Sequence, residues 1–133
     1  MKVFLSSKYH DDHSNRARIE MISLALHAHG FETMCIVRDV ERWGQLKFDA
    51  RELMRRTFAA IDVCDLVVVD LTEKGVGVGI EAGYARAKNI PVVTIAQNGS
   101  DISETLRGIS QQIFLYDNLD DLTGLFSGVI RNA

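Results

Sequence analysis

Leu66-Val67-Val68-Val69-Asp70-Leu71 runs into Thr72-Glu73-Lys74-Gly75-Val76-Gly77-Val78-Gly79, and then into Ile80-Glu81-Ala82-Gly83-Tyr84-Ala85. The first segment is apolar at every position but Asp70 and rich in β-branched residues, the pattern of a strand covered on both faces of a sheet. The second is a glycine-rich turn. The third opens a helix expected over about Val78 to Lys88. A buried strand that passes through glycines into a helix is the repeating half of a parallel strand–helix–strand unit.

The same alternation extends in both directions. Lys2 to Ser6 reads as a short buried strand. Ser14 is the expected cap of a helix with Ile19, Ile22 and Leu26 on its apolar face and Gly30 as its stop. Phe31 to Val37 reads as a second strand. Asp49 and Glu52 have capping-box spacing ahead of a helix carrying Met54, Phe58 and Ile61. Downstream, Pro91 to Ala96 and Gln112 to Tyr116 read as strands four and five. Between them, Asp101 and Glu104 open a short helix ending near Gly108. A last helix carries Leu122, Leu125, Phe126 and Val129. No repeat or linker interrupts residues 1–133, so the expectation is one α/β domain. It is doubly wound and flavodoxin/Rossmann-like, with a five-stranded parallel sheet in order 2-1-3-4-5. A ligand site belongs at the carboxyl ends of strands 1 and 3.

Composition narrows the function classes. Among 133 residues, 47% are hydrophobic and 25% charged, which excludes a disordered chain. No apolar run approaches the length of a membrane span or a signal peptide, so a cytoplasmic protein is expected. A formal charge of −3 gives no footprint for nucleic acid. Cys35 and Cys64 lie in apolar segments without zinc or redox spacing, and read as buried reduced thiols.

The chemistry concentrates after the third strand. Gly75, Gly77 and Gly79 permit close backbone approach to a ligand, and a helix start offers free N–H groups. The spacing G-x-G-x-G after strand three is not the dinucleotide pattern G-x-G-x-x-G after strand one. Glu81 is expected in the first helical turn, where the dipole favours its ionised form. An ionised carboxylate there suits a nucleophile, or equally a first-turn acid on a solvated face. Tyr84, three residues on, is placed to orient it.

Gly77 to Ala85, Cys64-Asp65 ahead of the third strand, Ser103-Glu104-Thr105-Leu106-Arg107-Gly108 and the short first strand together resemble the nucleoside 2-deoxyribosyltransferase family, which includes 2′-deoxynucleoside 5′-phosphate N-hydrolases and related nucleotide N-glycosidases. The resemblance implies cleavage or exchange of the N-glycosidic bond of a nucleoside or nucleoside 5′-monophosphate, with Glu81 attacking C1′ of the sugar. It implies no cofactor and no metal. It makes Ser7 a phosphate contact, and Ser103 a phosphate contact reaching across from the second subunit of a homodimer or larger assembly. Trp43 and Phe126 are the expected apolar anchors of that assembly. Gly75 stands where the phosphate-dependent branch has a serine, leaving only its N–H to serve. Where the family carries a second acid before the third strand, this chain has Thr57. Asp39, past the second strand, is the candidate substitute by position, and a turn aspartate otherwise. If nothing replaces that acid, the alternative is a nucleotide-binding module that has lost its chemistry.

Other features read more simply. His10, Asp11, Asp12 and His13 form a polar loop without further convergent ligands. Lys8, Arg16, Arg18, Arg38 and Arg42 are a candidate basic rim, or a solvated face. Trp43 and Phe48 are candidates to stack on a base. Asp70 lacks the acidic pair and the lysine that a phosphoacceptor site needs.

Overall fold

The computed structural model describes the backbone of residues 1–132 and the side chains of residues 1–128. Five parallel strands, β1 (Lys2–Ser6), β2 (Glu32–Met34), β3 (Leu66–Asp70), β4 (Val92–Gln97) and β5 (Gln112–Tyr116), lie in the order β2-β1-β3-β4-β5. The register pairs Phe4 with Val67 and Val68 with Val93. Because strand side chains alternate between faces, β1 sends Val3 and Leu5 to one core and Phe4 to the other. Helices α1 (Arg16–His27) and α5 (Leu122–Asn132) cover the first face, where Ile19, Ile22, Leu26, Leu122 and Phe126 are fully buried. Helices α2 (Ala50–Asp62), α3 (Val76–Ala87) and α4 (Glu104–Ile109) cover the second. Both faces being covered is why β3 has no polar face: all five of its residues are buried. Among the described residues, no helix is long and apolar enough to cross a membrane.

Some local signals hold in the structure and others are displaced. The Asp49 carboxylate accepts the Glu52 N–H at 2.8 Å and caps α2. The Glu52 side chain does not complete a box, since it pairs with Arg55 and Arg56. Asn15, not Ser14, occupies the cap position of α1, and its amide turns back to Ser7 Oγ and the Lys8 carbonyl. Ser103, not Asp101, precedes α4, because Asp101 is drawn out to Lys74 at 2.6 Å. The second strand is three residues long, and Ile36–Val40 forms a single π-helical turn instead of extending it. That turn is held by the Asp39 carboxylate, which accepts the Cys35 N–H at 2.8 Å. Helix α3 starts at Val76, two residues earlier than expected, with Gly75 in the cap position. Phe126 is fully buried within its own chain, so it is not an interface anchor, and Trp43 is partly buried against the α1 side core. Val129 lies outside the described side chains.

Candidate active site

The carboxyl end of β1, the segment after β2 and helices α2 and α3 enclose a cavity of about 370 Å³; the expected site at the ends of β1 and β3 is thus shifted toward β2, and β3 contributes only through the helix that follows it. This is within the size range of small-molecule sites. Its floor is Phe4, Leu5 and Ser7 from β1 and its end, and α3 contributes Gly77 and Glu81. Thr57 on α2 and Glu41 after the π-helical turn contribute from the other sides.

Helical periodicity explains how Glu81 gets there. On α3, Val78, Ala82 and Ala85 are buried, and Glu81 lies on that same inward stripe at three residues after Val78 and four before Ala85. Gly77, four residues before Glu81, has no side chain to fill the space above it. A Cβ at Gly77 would meet nothing within 4 Å, so the cavity stays open over the carboxyl group. The earlier start of α3 puts Glu81 in the second turn, where the dipole has largely faded. Burial therefore dominates, and the Glu81 pKa is pushed up to about 8, with the Ser6 hydroxyl opposing the shift. The expected ionised first-turn glutamate is corrected to a partly buried carboxyl group that holds its proton above neutrality.

Ser6, not Tyr84, is the side chain that touches Glu81. Its hydroxyl lies 3.4 and 3.5 Å from the two carboxyl oxygens. Ser6 shares a face of β1 with Phe4, two residues earlier, and that face looks toward α3. The Tyr84 hydroxyl instead donates to Asp62 Oδ1 at 2.7 Å, and its ring stacks on Phe58 with centroids 4.2 Å apart. Tyr84 thus joins α3 to α2 outside the cavity. Tyr84→Phe is expected to keep any turnover within about twofold of the parent, measured as kcat on the same substrate; a larger loss would return Tyr84 to the site.

The other expected residues separate into those that reach the cavity and those that do not. Ser7 lines it, with its hydroxyl accepting from the Asn15 amide at 3.3 Å. Gly75 lies against Lys8, whose Cγ would be 3.4 Å from a Cβ there. Gly79 opens to solvent, not to the cavity, and Ser103 is engaged with Thr105 Oγ1 at 2.6 Å. Asp39 points away: both carboxylate oxygens are taken by the Arg38 guanidinium at 2.9 and 3.0 Å, and one also by the Cys35 N–H. Its expected role as the substitute acid is therefore corrected; the acid after β2 that lines the cavity is Glu41. Thr57 does line it, but its hydroxyl donates to the Leu53 carbonyl at 2.8 Å.

The expected basic rim disperses. Arg16 lies over the Trp43 ring at 4.5 Å, Arg38 binds Asp39, and Arg18 sits 3.5 Å from Glu73. Lys8 alone of the five lines the cavity. Phe48 is covered by Arg56, and neither it nor Trp43 lines the cavity. His10 is 3.0 Å from Glu73, tying the loop after β1 to the loop after β3. Asp70 is buried and accepts from the Thr72 hydroxyl at 2.7 Å. Burial raises the thiols of Cys35 and Cys64 to about 11, so both are unreactive at neutral pH.

Sequence reasoning missed Ser6, Asn15 and Glu41. Period-two alternation along β1 was available to separate Ser6 from Ser7. Nothing local marked Glu41, because its approach to the cavity depends on the π-helical turn that carries it.

A doubly wound sheet with a shielded carboxyl group in a crevice at the carboxyl end of β1, between α3 and the segment after β2, defines a small-molecule site of the α/β class. The sequence profile described as Nucleoside 2-deoxyribosyltransferase matches residues 3–123. The chain belongs to the nucleoside 2-deoxyribosyltransferase family. A protein of Thermofilum pendens with the provisional name 2′-deoxynucleoside 5′-phosphate N-hydrolase 1 is 26% identical over 131 residues, covering 91% of this chain and 89% of its own. A protein of Syntrophotalea carbinolica with the same provisional name is 33% identical over 104 residues, covering 76% and 72% respectively. Among solved structures, the CMP N-glycosidase of Clostridium botulinum superposes with a TM-score of 0.69 at 20% identity, covering 97% of this chain and 99% of that one. The 2-deoxyribosyltransferase of Bacillus psychrosaccharolyticus superposes with a TM-score of 0.72 at 14% identity, covering 92% and 90%. These two likenesses are of fold.

Proposed function

We propose that this protein cleaves or exchanges the N-glycosidic bond of a nucleoside or nucleoside 5′-monophosphate, with Glu81 as the nucleophile at C1′. The observation that carries the reading is the Glu81 carboxyl group, presented by α3 to an otherwise largely apolar cavity with the Ser6 hydroxyl beside it. In its ionised form the carboxylate attacks C1′ as the bond to the base breaks, giving a glycosyl ester and free base. Water or a second base then takes the sugar and returns the carboxylate. Exclusion of water by the surrounding side chains strengthens the attraction between the carboxylate and the cationic sugar of the transition state. Ser7 and Lys8 on the β1 side are the groups available to a 5′-phosphate, with the Gly77 backbone beside Glu81. Incubation with a panel of nucleosides and nucleoside 5′-monophosphates, with free base followed by chromatography, tests the reading. Base release supports it; binding without release supports instead the nucleotide-binding module, which the lack of a carboxyl group at Thr57 favours.

The assembly is proposed to be a homodimer or a multiple of one. Val76, 83% exposed, and Ile80, 46% exposed, lie four residues apart on α3 and form an apolar surface on the exposed side of the helix that carries Glu81. Ser103 would approach the neighbouring subunit's cavity in such a pair. Sedimentation at micromolar concentration is expected to show a dimer, and Val76→Glu with Ile80→Glu is expected to give monomer. A parent chain that sediments only as monomer overturns the assembly.

A further inference from the structure

The reaction proposed above needs two things from the cavity: a nucleophile for C1′ and a proton for the departing base. Among the described residues that line the cavity, the carboxyl groups are those of Glu81 and Glu41. We infer that Glu41 is the proton donor to the leaving base, an assignment that rests on the reading of Glu81 as nucleophile.

The topology places the two acids on opposite walls. Glu81 is on the helix that follows β3, Glu41 follows the π-helical turn after β2, and β1 lies between those strands in the sheet. Two strand spacings separate the elements that carry them, roughly 10 Å at the sheet. Phe4, Ile36, Leu53 and Met54 line the same cavity and give it apolar surface suited to a flat ring. A sugar over Glu81 thus directs its base toward Glu41.

Three other proton-bearing residues of the lining fit the task less well. Thr57 has no acidic proton to give and uses its hydroxyl on Leu53. His10 is held by Glu73, and Lys8 lies on the Gly75 side, away from the β2 wall. Burial raises the Glu41 pKa, with His13 opposing the shift, and the reactive form is the one in which Glu41 holds its proton and Glu81 has lost its own. The step balances. As the C1′–N bond breaks and the Glu81–C1′ bond forms, the Glu41 proton passes to a ring nitrogen or carbonyl oxygen of the base. The resulting Glu41 carboxylate then takes a proton from the water that releases the sugar.

The test compares two leaving groups. A nucleoside monophosphate needs its base protonated, whereas 4-nitrophenyl 2-deoxyriboside 5′-phosphate releases a stable phenolate that does not. Glu41→Gln is expected to lower kcat on the nucleotide by about 10²-fold or more and to leave the nitrophenyl compound within about fivefold. Glu81→Gln is expected to lose both. Equal losses on both substrates in Glu41→Gln, or no loss on either, overturn the Glu41 assignment while leaving Glu81 in place. The same holds if the parent cleaves only the nitrophenyl compound. A parent that cleaves neither overturns the glycosidase reading itself, and the Glu41 assignment falls with it.

Discussion

Glu81→Gln is expected to reduce base release by about 10³-fold or more while nucleotide affinity changes only severalfold. The amide keeps the shape of the side chain and can still accept a hydrogen bond from Ser6. It has no anionic oxygen to form an ester with C1′, and no charge to set against the cationic sugar. The loss should fall in kcat, not in binding, because a nucleophile acts in the transition state. Single-turnover rates and calorimetric affinity on the same preparation separate the two quantities. Turnover within tenfold of the parent would make Glu81 a structural residue and remove the basis of the proposed mechanism.

The same substitution is expected to make the folded protein more resistant to urea at alkaline pH. Burial raises the Glu81 pKa from 4.5 to about 8 on folding. Between those values the native state binds more protons than the unfolded chain, so the contribution of Glu81 to stability falls as pH rises through that window. Above about pH 8 the decline is complete. The substituted amide has no proton to lose in this range and escapes it. The variant should therefore match the parent near pH 4.5 and exceed it by on the order of 5 kcal/mol at pH 9. Urea midpoints measured across that range read the difference. A gap that does not widen with pH would mean that the carboxyl group is solvated in the folded protein. With the expected loss of turnover, this would be a site residue held at a cost to stability.

The physical basis of both expectations is that the cavity is made by several segments distant in sequence. Arg38 shows the same dependence: as a sequence feature it belongs to a candidate phosphate rim, yet in the fold it binds Asp39, the Ser23 hydroxyl and the Thr33 carbonyl, and secures the turn after β2. Tyr84 at three residues from Glu81 has helical spacing for a partner, but the helix is rotated so that Glu81 faces the sheet and Tyr84 faces α2. Spacing on a helix tells which residues are neighbours; it does not tell which of them faces the ligand.

The fold itself was legible from local pattern. The apolar run Leu66–Leu71, the single proline and the strand–helix alternation specify a covered parallel sheet, since burial on both faces removes polar residues from a strand. The strand order and the range Gln112–Tyr116 agree with the expectation. The residues of Gly77 to Ala85 also carried the family, because their types are set by the local need for an open backbone and an acid on one helix. What the tertiary structure alone decided was which side chains meet. Asp39 and Glu41 are two residues apart in one short loop and equally acidic, and only the π-helical turn sends the first to Arg38 and the second into the cavity. The state of Glu81 was decided in the same way. Its charge was expected from its place on a helix, but its protonation is governed by the apolar walls that other segments bring around it, because desolvation depends on everything within reach and not on the chain on either side.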